Sequence, residues 1–305
     1  MAHSKKHSHN HNHSDKTIPK LWFTLFLNLG ITIAQLIGGV LSNSMALISD
    51  AVHNLSDTGS LGVSLVARKV ANKKANKEMT FGYRRADIIG AFINLIILVA
   101  VSLFLIKEGI ERFISPEEID GTIMFWVALA GLVGNVLSVI ILHSDSKESL
   151  NIKSATIHLF WDAMASLAVI IGGVLILLYD LFIIDPILTI AIALYIMYTS
   201  YGLLKETLSI LMEATPADID IHAIKKELEK VQFVQDIHHI HVWKMDENET
   251  MMECHALIPE SESNNLESIK SDIKQVLSDS FDITHSAIEF ELKPCDEPAH
   301  ESHVH

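Results

Sequence analysis

Two pairs of chemically active side chains interrupt long apolar stretches of this sequence. Each pair is a histidine followed four residues later by an aspartate: His53 with Asp57, and His158 with Asp162. On a helix this spacing puts both side chains on the same face, one turn apart. Two imidazoles and two carboxylates are good ligands for a divalent metal, and their number and type suit tetrahedral Zn²⁺. The sequence therefore predicts one four-ligand metal site built from two helices.

The elements that must position these pairs are apolar segments long enough to span a membrane. About 20 helical residues cross the roughly 30 Å of hydrocarbon in a bilayer. Of this chain, 49% is hydrophobic, and the mean hydropathy is +0.31. Ionisable side chains at membrane depth are costly, so they indicate function. We expect six spans, near 20–41, 44–67, 88–113, 122–143, 153–179 and 183–211. The metal site is expected on the second and fifth spans.

The charges of the four side chains predict a link between metal and protons. Zn²⁺ with two carboxylates and two neutral imidazoles sums to zero, whereas the empty site carries two negative charges. Each aspartate at the centre of a span costs about 2.5–3.5 kcal/mol. Protonation of a histidine or an aspartate relieves that cost when the metal leaves. Metal and protons thus compete for the same groups, and alternating access would produce Zn²⁺/H⁺ antiport.

Basic residues between the spans indicate which side of the membrane each loop occupies. The connections at 42–43, 114–121 and 180–185 lack Lys and Arg, whereas the N-terminal segment and the other two connections are basic. By the positive-inside rule, both termini are expected in the cytoplasm. An even number of spans agrees with this orientation, and we expect a multi-pass protein of the plasma (cell inner) membrane.

The last third of the chain has the composition of a soluble domain. Residues 1–212 hold 16 basic and 16 acidic residues, so the whole formal charge of −14 falls beyond them. Periodicity predicts helices at 219–231 and 265–280, with strands at 234–245, 250–258 and 286–292. The expected fold is a small cytoplasmic α+β domain of order αββαβ, ferredoxin-like or metallochaperone-like, with its helices on one face of the sheet. Its small size favours dimerisation.

Composition also excludes several classes of protein. The acidic C-terminal third argues against nucleic acid as a partner. Two cysteines, Cys254 and Cys295, do not indicate a disulfide framework. The polar N-terminal residues do not have the pattern of a cleaved signal peptide, so the first span is expected to direct insertion.

We expect four segments along the chain: a cytoplasmic tail at 1–17, a transport domain at 18–213, a regulatory and dimerisation domain at 214–294 and a second tail at 295–305. Both tails are rich in histidine, and such tracts can bind metal weakly. Collection of Zn²⁺ near the cytoplasmic entrance and a tail without a role in transport are equal alternatives. The tail histidines are His3, His7, His9, His11, His13, His300, His303 and His305.

Three motifs resemble the cation diffusion facilitator family. They are the run from Ser44 to His53 (SMALISDAVH), the run from Phe81 to Asp87 (FGYRRAD) and the paired HxxxD intervals. The resemblance covers residues 18 to 292. It implies a homodimeric secondary transporter that exports divalent metal from the cytoplasm in exchange for protons, with the two HxxxD pairs as its transport site.

The histidine in each pair makes this chain similar to the zinc-selective branch of that family, because members resembling manganese exporters have DxxxD in both places. Cd²⁺ or Co²⁺ as the main substrate is the alternative, since both ions accept similar ligands. Zn²⁺ is thus expected as the substrate and as a regulatory ion, with protons as the counter-ion.

The resemblance also implies a zinc site in the cytoplasmic domain. Alternation along a strand puts His239 and His241 on one face and His238 on the other, so all three can meet only at a bulge. An ordinary half-exposed strand histidine is an almost equal alternative for each of these positions. The expected ligands are His238 and His255, with His285 and Glu291 as weaker candidates.

Three further residues have expected roles, one from its position on a helix and two from the resemblance. Asp50 shares a face of the second span with His53, and it either belongs to a metal-entry or proton path or lies in the headgroup region. The family has a charge pair between the loop after span two and the start of the soluble domain. Arg85 and Asp218 are the expected pair here.

Other functions explain these residues less well. An intramembrane zinc enzyme needs an open metal position and usually a general base, but four protein ligands would close this site, and the sequence has no HExxH. A metal sensor anchored by its spans would not need ligands inside the membrane. Structural hydrogen bonds between helices could explain one such residue, but two HxxxD pairs fit that reading poorly. We therefore expect a transporter and not an enzyme.

Overall fold

Six long helices form the first two thirds of the described chain. A computed structural model describes residues 14–71, 73–143, 150–246 and 249–293, so the histidine-rich tails lie outside the described residues. The helices agree with the six predicted spans. They are α1 (Ser14–Ser42), α2 (Met45–Ala71), α3 (Ala86–Ile114), α4 (Gly121–His143), α5 (Leu150–Tyr179) and α6 (Ile184–Leu211).

Five of these described helices, all except α2, are long and apolar enough to cross a membrane. The 27-residue α2 is long enough as well, but it is the most polar of the six. Its polar residues include the predicted ligands His53 and Asp57, together with Asp50 and Asn54. A helix with this many polar groups can lie within a bundle only if other helices cover that face.

Small residues let the helices approach closely. A Cβ atom at Gly121 of α4 would lie 2.9 Å from the backbone nitrogen of Leu177 on α5. A Cβ atom at Gly131 would lie 3.0 Å from the side-chain nitrogen of Gln35 on α1. Small side chains at helix crossings are typical of membrane bundles, where close packing replaces the hydrophobic effect as the source of association. These two glycines therefore allow α4 to pack closely against both α1 and α5.

The remaining described elements form the predicted αββαβ domain. They are α7 (Ile221–Leu228), β1 (Asp236–Lys244), β2 (Thr250–Leu257), α8 (Leu266–Phe281) and β3 (Ile283–Glu291), with a 3₁₀ turn at Glu260–Glu262. The sheet order is β1-β2-β3, with β2 antiparallel to β1 and parallel to β3. The helix α7 begins at Ile221, later than its pattern predicted, because the Asp220 side chain accepts the backbone N–H of His222 and caps the helix there.

The chain divides into two compact units. One contains residues 1–63 and 93–202, and the other contains residues 64–92 and 203–305. The second unit has its own core of buried side chains from both helices and all three strands, including Ile224, Leu228, Ile237, Met252 and Ile273. Each unit therefore has the packed interior expected of a folded body.

Candidate metal centres

The four predicted membrane ligands come together as one cluster. His53, Asp57, His158 and Asp162 each offer one ligand atom, and these four atoms all lie within 4.8 Å of one another. Two come from α2 and two from α5. Because each pair is spaced by four residues, each helix presents its histidine and its aspartate on one face, and the two faces meet.

The distances match the edges of a tetrahedral metal cage. In a regular tetrahedron with ligands 2.0–2.1 Å from the metal, neighbouring ligand atoms are about 3.3 Å apart. The Nε2 atom of His158 lies 2.9 Å from Asp57 Oδ2 and 3.7 Å from Asp162 Oδ2. The Nε2 atom of His53 lies 3.6 Å from Asp162 Oδ1 and 3.7 Å from Asp57 Oδ2. Both imidazoles thus face both carboxylates at spacings that a small ion could adjust by tenths of an ångström.

Exposure of the four side chains falls steadily across the cluster. The His158 side chain is 44% exposed and that of Asp57 is 33% exposed, whereas those of His53 and Asp162 are 10% and 2% exposed. His158 is nearer than Asp162 to the start of α5, and Asp57 is nearer than His53 to the end of α2. Among the described residues, the side of the cage where α2 ends and α5 begins is therefore the open side, and the opposite side, around His53 and Asp162, is closed.

Two atoms at the closed side of the cage are buried without a hydrogen-bond partner among the described residues. They are His53 Nδ1 and Asp162 Oδ2. The imidazole of His53 is instead in edge contact with the Tyr195 ring of α6, with ring centroids 6.2 Å apart. Buried polar atoms usually have hydrogen-bond partners, so a buried carboxylate oxygen without a hydrogen bond at this position is consistent with a metal ligand.

Asp50 lies outside this cage, in a buried network of its own. It is 1% exposed, and its Oδ2 accepts hydrogen bonds from Gln35 Nε2 at 2.6 Å and from Ser166 Oγ at 3.4 Å. Gln35 in turn accepts the Asn54 side-chain N–H at 3.0 Å. The network joins α1, α2 and α5 on the closed side of the cage, and an entry or proton-path role for Asp50 stays a prediction.

A second cluster of metal-ligand type lies on the sheet of the C-terminal domain. His238, His239 and His255 each offer a nitrogen, and these nitrogens lie within 4.8 Å of one another. His238 and His255 face each other across the β1–β2 pair, and the pairing register shifts between His238 and His241. His239 has a φ of 49°. The register shift and the positive φ mark a β-bulge, which a regularly alternating strand does not have. The bulge places His239 on the same side of the sheet as His238.

Carboxylates complete the surroundings of these histidines. Glu291 of β3 contacts His255 Nδ1 at 2.8 Å and His238 Nε2 at 3.2 Å. Asp236 contacts His238 Nδ1 at 3.1 Å. Burial raises the pKa of Asp236, but the hydrogen bond and charge of Lys225, and then His238, outweigh burial and bring the pKa below its usual value. An ionised carboxylate at Nδ1 orients the imidazole and leaves Nε2 for a metal.

His285, also predicted for this site, is placed elsewhere. It is paired with Met251 at the opposite end of β2 from His255, which is paired with Glu289. Its ring lies 6.3 Å from the ring of Phe81, between centroids. His285 follows the start of β3 and Glu291 ends it, so the parallel pairing of β2 with β3 separates the two candidates.

The predicted charge pair also has a different partner. Arg85 donates a hydrogen bond from Nη2 to Glu213 Oε1 at 2.7 Å, where Asp218 was expected. Glu213 is the second residue after α6 and has a φ of 57°. This left-handed conformation ends the helix, and only the folded backbone shows which of the nearby acidic side chains meets the arginine.

Sequence reasoning missed Tyr195 and Glu213, and it considered His239 without including it among the expected ligands. An aromatic in an apolar helix carries no signal in one sequence, because lipid-facing and site-facing tyrosines look alike. The sequence showed that His239 could join His238 only at a bulge, because adjacent residues of a strand point to opposite faces, but it did not show that the bulge exists.

Comparisons with known proteins agree with this organisation. A family model described as "Cation efflux transmembrane domain" matches residues 21–212. A second one, "Cation efflux protein, cytoplasmic domain", matches residues 216–293.

Named relatives resemble the chain over most of its length. The metal cation efflux system protein CzcD of Cupriavidus metallidurans is 35% identical, over 87% of this chain and 84% of the relative. The zinc transporter ZitB of Escherichia coli is 33% identical, over 98% and 95%. A cadmium, cobalt and zinc/H(+)-K(+) antiporter of Bacillus subtilis is 38% identical, over 87% and 86%.

Proposed function

Because the chain belongs to the cation efflux family of membrane metal transporters, we propose that it exports Zn²⁺ from the cytoplasm in exchange for protons. The observation that supports this most directly is the cage of His53, Asp57, His158 and Asp162, with ligand atoms at the spacings of a tetrahedral site. Among the described residues, the ligands near the end of α2 and the start of α5 are the more exposed pair, as expected of a carrier that opens its site to one side at a time.

The exposure gradient suggests the order in which the ligands meet the ion. We place both termini in the cytoplasm, so that the side where α2 ends and α5 begins faces the cytoplasm; the exposure of the ligands on that side supports an inward-open state. His158 and Asp57, the exposed pair, meet a hydrated ion first. His53 and Asp162, the buried pair, then replace its remaining waters. Release requires a second state in which the other side opens.

Proton coupling follows from the charge of the cage. Two carboxylates and two neutral imidazoles balance the charge of one Zn²⁺, whereas the same groups without metal hold two uncompensated negative charges. Burial of Asp162 makes that state costly. A proton on any of the four groups lowers the cost, and a metal ion must displace it in order to bind. Each return of the empty carrier therefore brings protons inward.

The ligand set favours Zn²⁺ over harder ions. Imidazole nitrogen binds Zn²⁺, Co²⁺ and Cd²⁺ well and Mn²⁺ weakly, and tetrahedral geometry suits Zn²⁺ best. One relative is called a zinc transporter and another a cadmium, cobalt and zinc antiporter. Zn²⁺ is the proposed main substrate, with Cd²⁺ and Co²⁺ as competitors.

We further propose that the protein works as a homodimer in the inner membrane, with zinc as a regulatory ion on the C-terminal domain. Two observations support this: the match of residues 216–293 to the family model of the cytoplasmic domain, and the cluster of His238, His239 and His255 with Glu291. Metal held near the domain surface could bring two copies together, and it biases transport only if one conformation binds it more tightly.

Reconstituted vesicles test the proposal. Purified protein is placed in vesicles with an acidic lumen and a neutral bath, and uptake of Zn²⁺, Cd²⁺, Co²⁺ and Mn²⁺ is measured together with lumen pH. We expect Zn²⁺ uptake that alkalinises the lumen and that stops when nigericin collapses the gradient. Protein-free vesicles and vesicles without a gradient are the controls. Zn²⁺ flux that ignores the pH gradient would overturn antiport, and the absence of any metal flux would overturn transport itself.

A further inference from the structure

The first turn of α2 is held by an acidic side chain from another helix. Asp185, in the first turn of α6, accepts the backbone N–H of Met45 at 2.9 Å and that of Ala46 at 3.2 Å. It also accepts the Ser44 hydroxyl at 2.5 Å. The Ser44 oxygen accepts the N–H of Leu47 at 3.2 Å.

These contacts satisfy the N–H groups that a helix start leaves free. The first N–H groups of an α-helix have no acceptor within the helix, and a carboxylate there also interacts favourably with the helix dipole. Ser44 is a conventional cap of its own helix. Asp185 is a cap supplied by a different helix, so it joins the starts of α2 and α6.

Further contacts hold the turn that precedes α2. Arg112 of α3 donates to the Asn43 carbonyl at 2.8 Å, and the Asn43 side chain donates to Glu117 at 2.9 Å. The backbone N–H of Asp120 donates to the Ser42 carbonyl at 3.0 Å. The turn is thus tied to α3, to the segment before α4 and to α6.

Burial along α2 changes partway along the helix. Its first residues are covered: Ala46, Leu47 and Ala51 are fully buried, as are Ser49 and Asn54. Ala46 and Leu47 pack in a cluster with buried residues of α4 and α5. From Leu55, which is 44% exposed, the helix becomes partly open. One end of α2 is therefore tied and packed, whereas the part that begins at Leu55 is less covered by the described residues.

We propose that the Asp185–Ser44 contact is a fixed pivot, about which α2 tilts to open and close the side of the cage where α2 ends. Asp185 is thereby a positioning residue for the transport proposed above, on which this inference rests. The two ligands lie 9 and 13 residues beyond Ser44. A small tilt about the start of α2 moves Asp57 further than His53, so it widens or narrows the cage on the side where α2 ends.

A contact that opened in each cycle would have to leave buried groups without partners. Asp185 and Ser44 are both fully buried. Separation of the two helices here would strand a carboxylate and the N–H groups of Met45 and Ala46 in a dry environment. We therefore expect the contact to persist in both access states, which distinguishes a pivot from a gate.

A reversible cross-link tests this distinction. Ser44→Cys and Asp185→Cys are combined with Cys254→Ala and Cys295→Ser, and the double variant is assayed in vesicles before and after oxidation. We expect the cross-linked protein to take up Zn²⁺ at a rate within threefold of, or faster than, that of the reduced form. Cross-linked protein that binds Zn²⁺ but transports it at least tenfold more slowly, with recovery on reduction, would show a gate and overturn the pivot.

A second variant covers the case in which loss of the carboxylate prevents folding. Asn43→Cys with Glu117→Cys ties the same turn while Asp185 and Ser44 stay intact, and the same outcomes are expected and excluded. The Cys254→Ala, Cys295→Ser background separates this inference from the proposed function. If the background takes up no Zn²⁺, transport is wrong; if it does and both cross-linked variants stop, only the pivot is wrong.

The positioning role has its own readout. Asp185→Asn keeps the size of the side chain but replaces one acceptor oxygen. We expect the maximal rate of Zn²⁺ uptake to fall about tenfold, while the KM for Zn²⁺ and the amount of folded protein stay within about threefold. A merely structural role would lower the amount of folded protein and leave the rate per folded molecule unchanged, and that result would contradict the assignment.

Discussion

Two clusters of histidine and carboxylate occupy very different settings in this molecule. In the membrane unit, His53, Asp57, His158 and Asp162 are carried by two helices, and Asp162 is buried. In the C-terminal domain, three histidines lie together on the sheet, at a bulge, and all three are half-buried. The ligand chemistry is similar, but the surroundings of the ligands differ.

That difference determines what each cluster can do with a metal ion. At membrane depth an unbalanced charge is costly, so the cage needs carboxylates to balance Zn²⁺ and protons to replace it. On a half-exposed sheet, water stabilises excess charge, so a site built mainly from neutral imidazoles can hold metal without obligatory proton exchange. We therefore expect the membrane cage to carry transport and the sheet cluster to adjust it.

Asp162→Ala is expected to have the largest effect that separates the two clusters. Outer-shell partners of a metal site alone contribute 10–100-fold to affinity or activity, so we expect loss of a buried ligand to lower Zn²⁺ uptake by at least about 100-fold. Zinc bound to the C-terminal domain should stay unchanged, as measured by metal content per chain. Ser102→Ala is the matched control, because within the described part of the chain that buried hydroxyl donates to the Leu98 carbonyl of its own helix. Uptake by Asp162→Ala above a tenth of the original rate would remove the cage from the mechanism.

The complementary change is His255→Ala on the sheet. It removes the histidine that contacts both neighbouring histidine rings, with centroids 5.5 Å and 4.8 Å away. We expect the domain to lose its zinc and transport to fall by less than about tenfold. His285→Ala is the control, since it removes a histidine from the same sheet but outside the cluster. Equal losses of transport in His255→Ala and Asp162→Ala would mean that the two clusters do not divide the work as proposed.

The bulge in β1 makes a narrower prediction. His239 is in the cluster and His241 is outside it, although alternation along a strand puts both on one face. We expect His239→Ala to weaken zinc binding by the domain about tenfold and His241→Ala to leave it unchanged. Titration of each purified variant with Zn²⁺ measures both. The reverse order would show that β1 pairs without its bulge when metal is bound.

The smallest effect concerns Cys254, the neighbour of His255 on β2. It is 2% exposed on the core side of the sheet, and burial raises its thiol pKa to about 12. An acid whose pKa is raised on folding stabilises the fold fully below its unfolded pKa and loses that contribution as pH rises. With an unfolded pKa of about 8.5, the loss is about 1.4 kcal/mol between pH 7 and 9.5.

Urea unfolding of the C-terminal domain at the two pH values measures this loss. Cys254→Ala should lack it, and zinc binding should be the same in both proteins because the thiol faces the core. If stability of the two proteins falls equally with pH, the thiol titrates normally in the folded domain. If zinc binding falls in Cys254→Ala, the thiol is a ligand and the strand faces are reversed.

Much of the fold was accessible from local patterns. The six helices follow from runs of apolar residues, and the order αββαβ follows from a change of period after Pro216. The limits of elements were less accessible: α7 ends at Leu228, and β1 begins at Asp236, because capping and pairing partners set these ends. The polar face of α2 was also visible, and it explains why α2 is the least apolar of the six helices.

The sequence alone indicated the four candidate membrane ligands, because the relation between His53 and Asp57, and between His158 and Asp162, lies within one helical turn. Long-range geometry specified the rest. A bulge places His239, and not His241, in the sheet cluster. The end of α6 places Glu213 next to Arg85. The packing of α6 against α2 places Asp185 at the start of α2. Helical periodicity is a property of a few consecutive residues. Pairing register and helix contacts depend on segments far apart in the chain, so they become visible only in the folded molecule.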